Sequence, residues 1–276
     1  MSKDSSEHPL VAHEIANPVG GQSETINSSK SKVPWNPWVA VVFAIVVYFA
    51  AQIIAGAIVT LYPHLEGWDK SESSNWLDNS AVAQFWYVLF AEALTFGSIW
   101  WFIRYRKTGL RSIGWRKIRF TDPIFTLAGF AAYIAGYTVL LSIATHLFPQ
   151  VNVNQKQQLG FQNVNGTFDL FLTFLSLVVL PPLVEETVFR GFIFTGIRNS
   201  LNWWWAALLT SLLFASAHLE FGTGQPLLWS AAIDTFTLSM VLCFLRQKTD
   251  SLWPGILLHA LKNGIAFAAL FIFHAS

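Results

Sequence analysis

Charge is what this 276-residue chain lacks most, since Asp, Glu, Lys and Arg make up only 12% of it, about half the share usual in a soluble domain. With 53% hydrophobic and 16% aromatic residues, the chain carries more apolar surface than a water-soluble core can absorb, so lipid is the implied solvent. A formal net charge of +1 gives no basic surface for phosphates, which excludes a nucleic-acid partner. Cysteine is nearly absent. The single Cys243 excludes an intramolecular disulfide and a Cys-based zinc site, and its apolar surroundings read as those of a small core residue. No apolar stretch stands beside the N-terminus, so no cleavable signal peptide is expected, and no internal repeat is visible.

Long apolar runs are what the chain has instead. Hydropathy predicts about seven spans, at roughly 38–62, 81–103, 124–148, 169–197, 203–221, 227–245 and 252–273. Continuous runs such as Val39 to Ala51 lack the alternation of barrel strands, so the spans must be helices that satisfy their own backbone groups. The expected fold is all-α: a polytopic transmembrane helix bundle over residues 38–273, with an intramembrane polar cavity, preceded by a disordered tail at 1–37 rich in Ser, Asn and Lys.

Basic residues set the orientation, because Lys and Arg beside spans stay on the cytoplasmic side. Arg104, Arg106, Lys107, Arg111, Arg116, Lys117 and Arg119 fall between spans two and three, which makes that loop and the N-terminus cytoplasmic. The acidic segment with Glu66, Asp69, Glu72 and Asp78 and the Asn/Gln-rich segment from 151 to 165 then lie outside. Trp35, Trp38, Trp100, Trp101 and Trp203 to Trp205 are expected as interfacial anchors.

Ionisable groups inside spans are costly and mark candidate functional sites. Span four contains Pro181-Pro182-Leu183-Val184-Glu185-Glu186-Thr187-Val188-Phe189-Arg190. Glu186 and Arg190, four apart, share a helix face and can neutralise each other, whereas Glu185 points about 100° away and stays free. The two prolines should disturb the helix one turn earlier and free backbone carbonyls. Phe214 precedes His218 at the end of span five, and His259 and Asn263, again four apart, look to one side from span seven. For Glu185 and His218 to meet, span four must continue to Arg198, which puts Glu185 about 20 Å from that end against about 24 Å for His218.

One free glutamate, two histidines and an asparagine suit hydrolysis, with the carboxylate taking a proton from water and the others serving the leaving group and the oxyanion. Blander roles exist for each part: a Glu–Arg pair also serves as a structural staple, and a membrane His bonded to a carbonyl is ordinary helix glue. Glu92 and Asp234 are intramembrane acids outside these motifs, read as helix-to-helix hydrogen bonds ahead of cavity lining.

The order Glu-Glu-x-x-x-Arg, Phe-x-x-x-His, His-x-x-x-Asn, complete at Glu185, Glu186, Arg190, Phe214, His218, His259 and Asn263, resembles the family of CAAX-processing and bacteriocin-processing intramembrane endopeptidases. The lead-in Ser251-Leu252-Trp253-Pro254-Gly255 is similar as well, and the resemblance spans roughly 125–273. It implies Glu185 as the base with His218 as its partner, His259 and Asn263 as the oxyanion site, and Glu186 with Arg190 holding the geometry. It further implies a membrane-associated or lipid-anchored peptide substrate and a multi-pass protein of the cell membrane, in a span-dense form typical of a bacterial inner membrane. No cofactor is expected. The resemblance leaves a divalent metal open, and the absence of His-Glu-x-x-His favours a metal-free glutamate mechanism. The chain also lacks Gly-x-Ser-x-Gly and Gly-x-Gly-Asp, which excludes other intramembrane protease chemistries. Two further readings stand beside the protease: a non-catalytic scaffold or bacteriocin-immunity protein with the same fold, and a transporter, against which the lack of inverted repeats counts.

Overall fold

The computed structural model describes residues 33–149, 151–153, 155, 161, 163–219 and 226–273. The expected tail lies almost wholly outside these residues, as do parts of the segment from 151 to 165, and His8, His13 and His274. Among the described residues the regular structure is entirely helical.

Among the described residues six helices are long and apolar enough to cross a membrane. They are α1 (Pro37–Leu65), α3 (Ala81–Tyr105), α4 (Asp122–Leu147), α5 (Gly166–Arg198), α7 (Trp229–Thr249) and α8 (Trp253–Ile272). The expected fifth span is the shorter α6 (Trp203–Ser216), which at 1.5 Å per residue covers about 21 Å of a hydrocarbon core of about 30 Å. It stops early for a local reason. The Phe214 carbonyl, which would accept from the His218 backbone, instead meets the His218 ring Nδ1 at 2.8 Å, while the His218 N–H turns to the Ala215 carbonyl. His218 therefore stands in a turn beyond α6 and not within a span over 203–221.

α2 (Lys70–Asn79) is a helix inside the acidic segment that hydropathy treats as a loop. Its signal is a capping box: Asp69 accepts from the backbone of Ser71 at 2.7 Å and of Glu72 at 2.9 Å, and Glu72 accepts from the Asp69 N–H at 2.9 Å.

Small residues let α1 and α3 approach closely. The buried face of α1 runs Ala40, Ala44, Val47, Ala51, Ala55, Val59, and that of α3 includes Ala83 and Ala91, the spacing expected where dispersion and not water drives helix association. Against them α5 presents Phe192, Ile193, Phe194 and Ile197, joined by Ile99, Ile103 and Ile113. Trp35 departs from the anchor reading: it is buried, packed between Phe102 and Phe192. Trp38, Trp101, Trp204 and Trp205 are exposed. A second cluster, Tyr133, Leu238, Leu242, Leu245 and Leu258, ties α4, α7 and α8 together.

The basic loop between α3 and α4 does more than bear charge. Its 3-10 turn, Leu110–Ile113, leads to Gly114, whose carbonyl accepts from the Leu252 N–H at 2.9 Å. Arg116 pairs with Asp250 and its carbonyl accepts from Trp253 Nε1 at 2.6 Å. Buried Arg246 reaches the same Asp250 at 2.7 Å. The loop thus latches the corner from which α8 starts. Gly114 has φ +97°, and a Cβ there would lie 2.5 Å from Arg246 Nε. Gly114→Ala should therefore lower stability in detergent by more than the roughly 1–2 kcal/mol of left-handed backbone alone. Gly67→Ala, at φ +71° in open space, should lose only that backbone part, and equal shifts in thermal midpoint for the two would refute the latch.

Candidate active site

The site grows from a defect in α5. The carbonyl of Leu177 would accept from residue 181 in an α register and from residue 182 in a π register, and both are prolines without an N–H. The helix responds with a π segment at Leu175–Val179 and resumes as an α-helix at Leu180–Glu186. Asn263 of α8 then supplies the missing donor, its Nδ2 meeting the Leu177 oxygen at 2.9 Å. A second π segment, Thr187–Ile193, follows the glutamates, and the helical path runs unbroken to Arg198, as the depth argument required. π segments of this kind concentrate at functional sites.

Two turns past that defect the adjacent glutamates part company. Glu186 is buried at 1% exposure, and its Oε1 accepts from Arg190 Nη1 at 2.9 Å. The same oxygen lies 3.1 Å from Nδ1 of His259. On its other side Oε2 rests against Gly255, where a Cβ would come within 3.1 Å, so glycine in the α8 lead-in makes room for the carboxylate. Arg190 is wholly buried, its guanidinium 4.4 Å from the centroid of Phe214, an arrangement in which the ring face supports the cation. Phe214 in turn contacts both imidazoles, with ring centroids 4.7 Å from His218 and 5.9 Å from His259.

Glu185 differs from its neighbour in every respect. Its side chain keeps 28% exposure, with Oε2 at 3.9 Å from His259 Nε2. That Oε2 is itself buried and has no hydrogen-bond partner among the described residues. His259 is thus set between the two carboxylates, Nδ1 on Glu186 and Nε2 toward Glu185.

The structure brings Glu185, Glu186, Arg190, Phe214, His218 and His259 into one contiguous group, with Asn263 one turn along α8 from His259. His218 reaches the group through Phe214. Asn263 makes its contact with the Leu177 backbone. Of the two acids outside the motifs, Asp234 accepts from Tyr133 and pairs with Lys262 at 2.8 Å, a helix-to-helix contact joining α4, α7 and α8. Among the described residues Glu92 has no such partner. Among the described residues no three His, Cys, Asp or Glu side chains form a cluster suited to a metal ion.

Fold and site together define a helical membrane protein with a buried Glu186-Arg190-His259 core beside a half-buried Glu185, and comparison with known proteins points the same way. Residues 167–265 match the family described as type II CAAX prenyl endopeptidase Rce1-like, and every motif residue named above falls in that stretch. The chain is 38% identical over 93 residues to the "Uncharacterized 24.3 kDa protein" of Escherichia coli, covering 33% of this chain and 41% of that one. It is 26% identical over 140 residues to "Putative membrane peptidase YdiL" of Bacillus subtilis (strain 168), covering 51% of this chain and 53% of that one. The chain therefore spans about half or less of the length of these relatives. No solved structure matches. The similarity supports a membrane protease in general terms.

The Leu177 bond gives a direct test of local packing. Asn263→Leu should cost about 1–3 kcal/mol, the desolvation penalty of an unmet buried carbonyl. In a Pro181→Ala background, which restores a backbone donor to Leu177, the same change should cost clearly less. A double-mutant cycle by detergent unfolding that shows no coupling would break the link.

Proposed function

We propose that the chain is an intramembrane endopeptidase that hydrolyses a peptide bond of a membrane-associated or lipid-anchored substrate, with Glu185 activating the water. The observation that carries this reading is the contrast between the two glutamates. Glu186 is neutralised by Arg190 and committed to His259, whereas Glu185 keeps a buried oxygen unmet beside an imidazole. A carboxylate so placed can hold a water and take its proton as the oxygen attacks the peptide carbonyl.

The other side chains take complementary parts in this reading. His218 gives its Nδ1 proton to the Phe214 carbonyl, which leaves Nε2 as an acceptor to orient the water. His259, with Nδ1 on Glu186, serves the oxyanion from Nε2 when that nitrogen carries a proton. The amide of Asn263 has a second N–H beyond the one used on Leu177, available to the same oxyanion. No metal or cofactor is invoked. The chain sits as a multi-pass protein of the cell membrane, of bacterial inner-membrane type, with the tail at 1–37 and the 104–119 loop cytoplasmic and the protease core at about 125–273.

Two experiments test the proposal. Glu185→Gln keeps size and hydrogen bonding but removes the proton acceptor, so folding should survive while turnover falls by about 10²–10⁴-fold. Glu186→Gln leaves Arg190 unpaired, which should cost about 3–5 kcal/mol and chiefly reduce folded protein. The double change Glu186→Gln with Arg190→Gln should recover part of that loss. A stable, inactive Glu186→Gln beside an active Glu185→Gln would reverse the roles, and identical membrane peptide profiles from cells with natural protein and with Glu185→Gln would favour a non-catalytic scaffold. For orientation, an impermeant thiol reagent on intact cells should label Ser74→Cys and spare Lys117→Cys. The opposite pattern would invert the topology.

A further inference from the structure

Glu92 of α3 is an acid in mid-span that the motifs do not use and that the 167–265 family match does not reach. Its level in the bundle can be read from the helix ends. Arg106, just past α3, donates to the Pro34 carbonyl, and Asn199, just past α5, donates to the carbonyls of Val33 at 2.6 Å and Trp35 at 3.0 Å. The C-terminal ends of α3 and α5 are therefore level, both meeting the start of α1. Glu92 precedes Tyr105 by thirteen residues and Glu185 precedes Arg198 by thirteen. Each carboxylate thus stands about 20 Å from that common end.

The two helices pack against each other along the segment that bears Glu185. Glu92 and Glu185 are close enough to interact electrostatically, and Tyr48 of α1 senses both, together with Tyr87 of α3. Glu185 and Tyr48 are the titratable groups that interact with Glu92. The other motif and mid-span acids have a cation or an imidazole beside them: Glu186 has Arg190 and His259, Glu185 has the His259 Nε2 at 3.9 Å, and Asp234 has Lys262. Among the described residues Glu92 has neither cation nor hydrogen-bond donor. An acid left without a partner at such depth is carried in its uncharged form and marks function.

We infer that Glu92 is the second carboxyl group of the site, held as the neutral acid opposite Glu185 to protonate the departing amine. The inference rests on the protease reading above. It meets a need that reading leaves open, because the Nδ1 protons of both histidines are committed, to Phe214 and to Glu186, and the Nε2 of His259 serves the oxyanion. As the water oxygen bonds to the carbonyl carbon, its proton goes to Glu185. As the carbon–nitrogen bond breaks, the Glu92 proton goes to nitrogen. Transfer of the proton from Glu185 to Glu92 after product release restores both groups, so protons and bonds balance over a turnover. Base and acid then stand on opposite sides of the scissile bond, one from α5 and one from α3.

The experiment uses the full-length protein in lipid nanodiscs. Dicyclohexylcarbodiimide, which couples to protonated carboxyl groups in apolar surroundings, should modify Glu92 at neutral pH as read by peptide mass mapping. An unmodified Glu92 overturns the inference without touching the protease reading. With a substrate found by the membrane peptide comparison, Glu92→Gln should lower kcat by about 10²-fold or more with little change in KM, and Glu92→Asp should retain part of the activity. An ester analogue of that substrate, whose leaving group needs less protonation, should lose less than about tenfold in the same variant. Equal kcat for natural protein and Glu92→Gln, or equal losses on amide and ester, overturns the role. Absence of any cleavage by the natural protein removes the protease reading itself, and the inferred role with it.

Discussion

The carboxylate of Glu186 is the point on which the polar interior of this bundle depends. One of its oxygens serves two partners, the guanidinium of Arg190 and the imidazole of His259, so a single group joins α5 to α8. A buried ion pair is by itself weak evidence of stability, because desolvation offsets most of the attraction. What it contributes here is direction. Arg190 is aimed at the face of Phe214, and Phe214 separates the two imidazoles. His259 is turned so that its second nitrogen looks at Glu185. The half-buried glutamate owes its surroundings to the buried one.

Around this core the chain uses weak helix contacts and strong corner contacts. The alanine face of α1 lies against α3 with one side-chain bond, Tyr87 to Gln52, within the span, whereas the corner before α8 is held by Arg116, Arg246 and Asp250 and by the backbone of Gly114. Loop arginines of this kind carry two meanings in a membrane protein, one for insertion and one for tertiary structure, and hydropathy reports only the first.

Much of this was legible in the sequence, and the parts that were not share a cause. The long spans, the shared face of Glu186 and Arg190, and the disturbance before Glu185 follow from composition, helical period and proline chemistry. The early end of α6 was not legible, because it turns on a side-chain nitrogen replacing a backbone donor at Phe214. Trp35 was misread because a tryptophan near a span end looks the same whether it faces headgroups or fills a gap between Phe102 and Phe192. The capping box at Asp69 and Glu72 is readable in the sequence, where the charge of the segment by itself suggests a loop. Partners from distant spans, such as Leu177 for Asn263 or the absence of one for Glu92, have no signature along the chain.

The bond from Asn263 to Leu177 also fixes something that packing alone leaves free. Apolar helices in lipid can slide along one another at little cost, because one methyl contact replaces another. A carbonyl stripped of both its possible backbone donors offers only one position at which the amide of Asn263 fits. A slip of one residue, 1.5 Å along the axis, loses it. Pro181 and Pro182 therefore act at a distance as a depth stop for α8, setting the height of His259 against the two glutamates on α5.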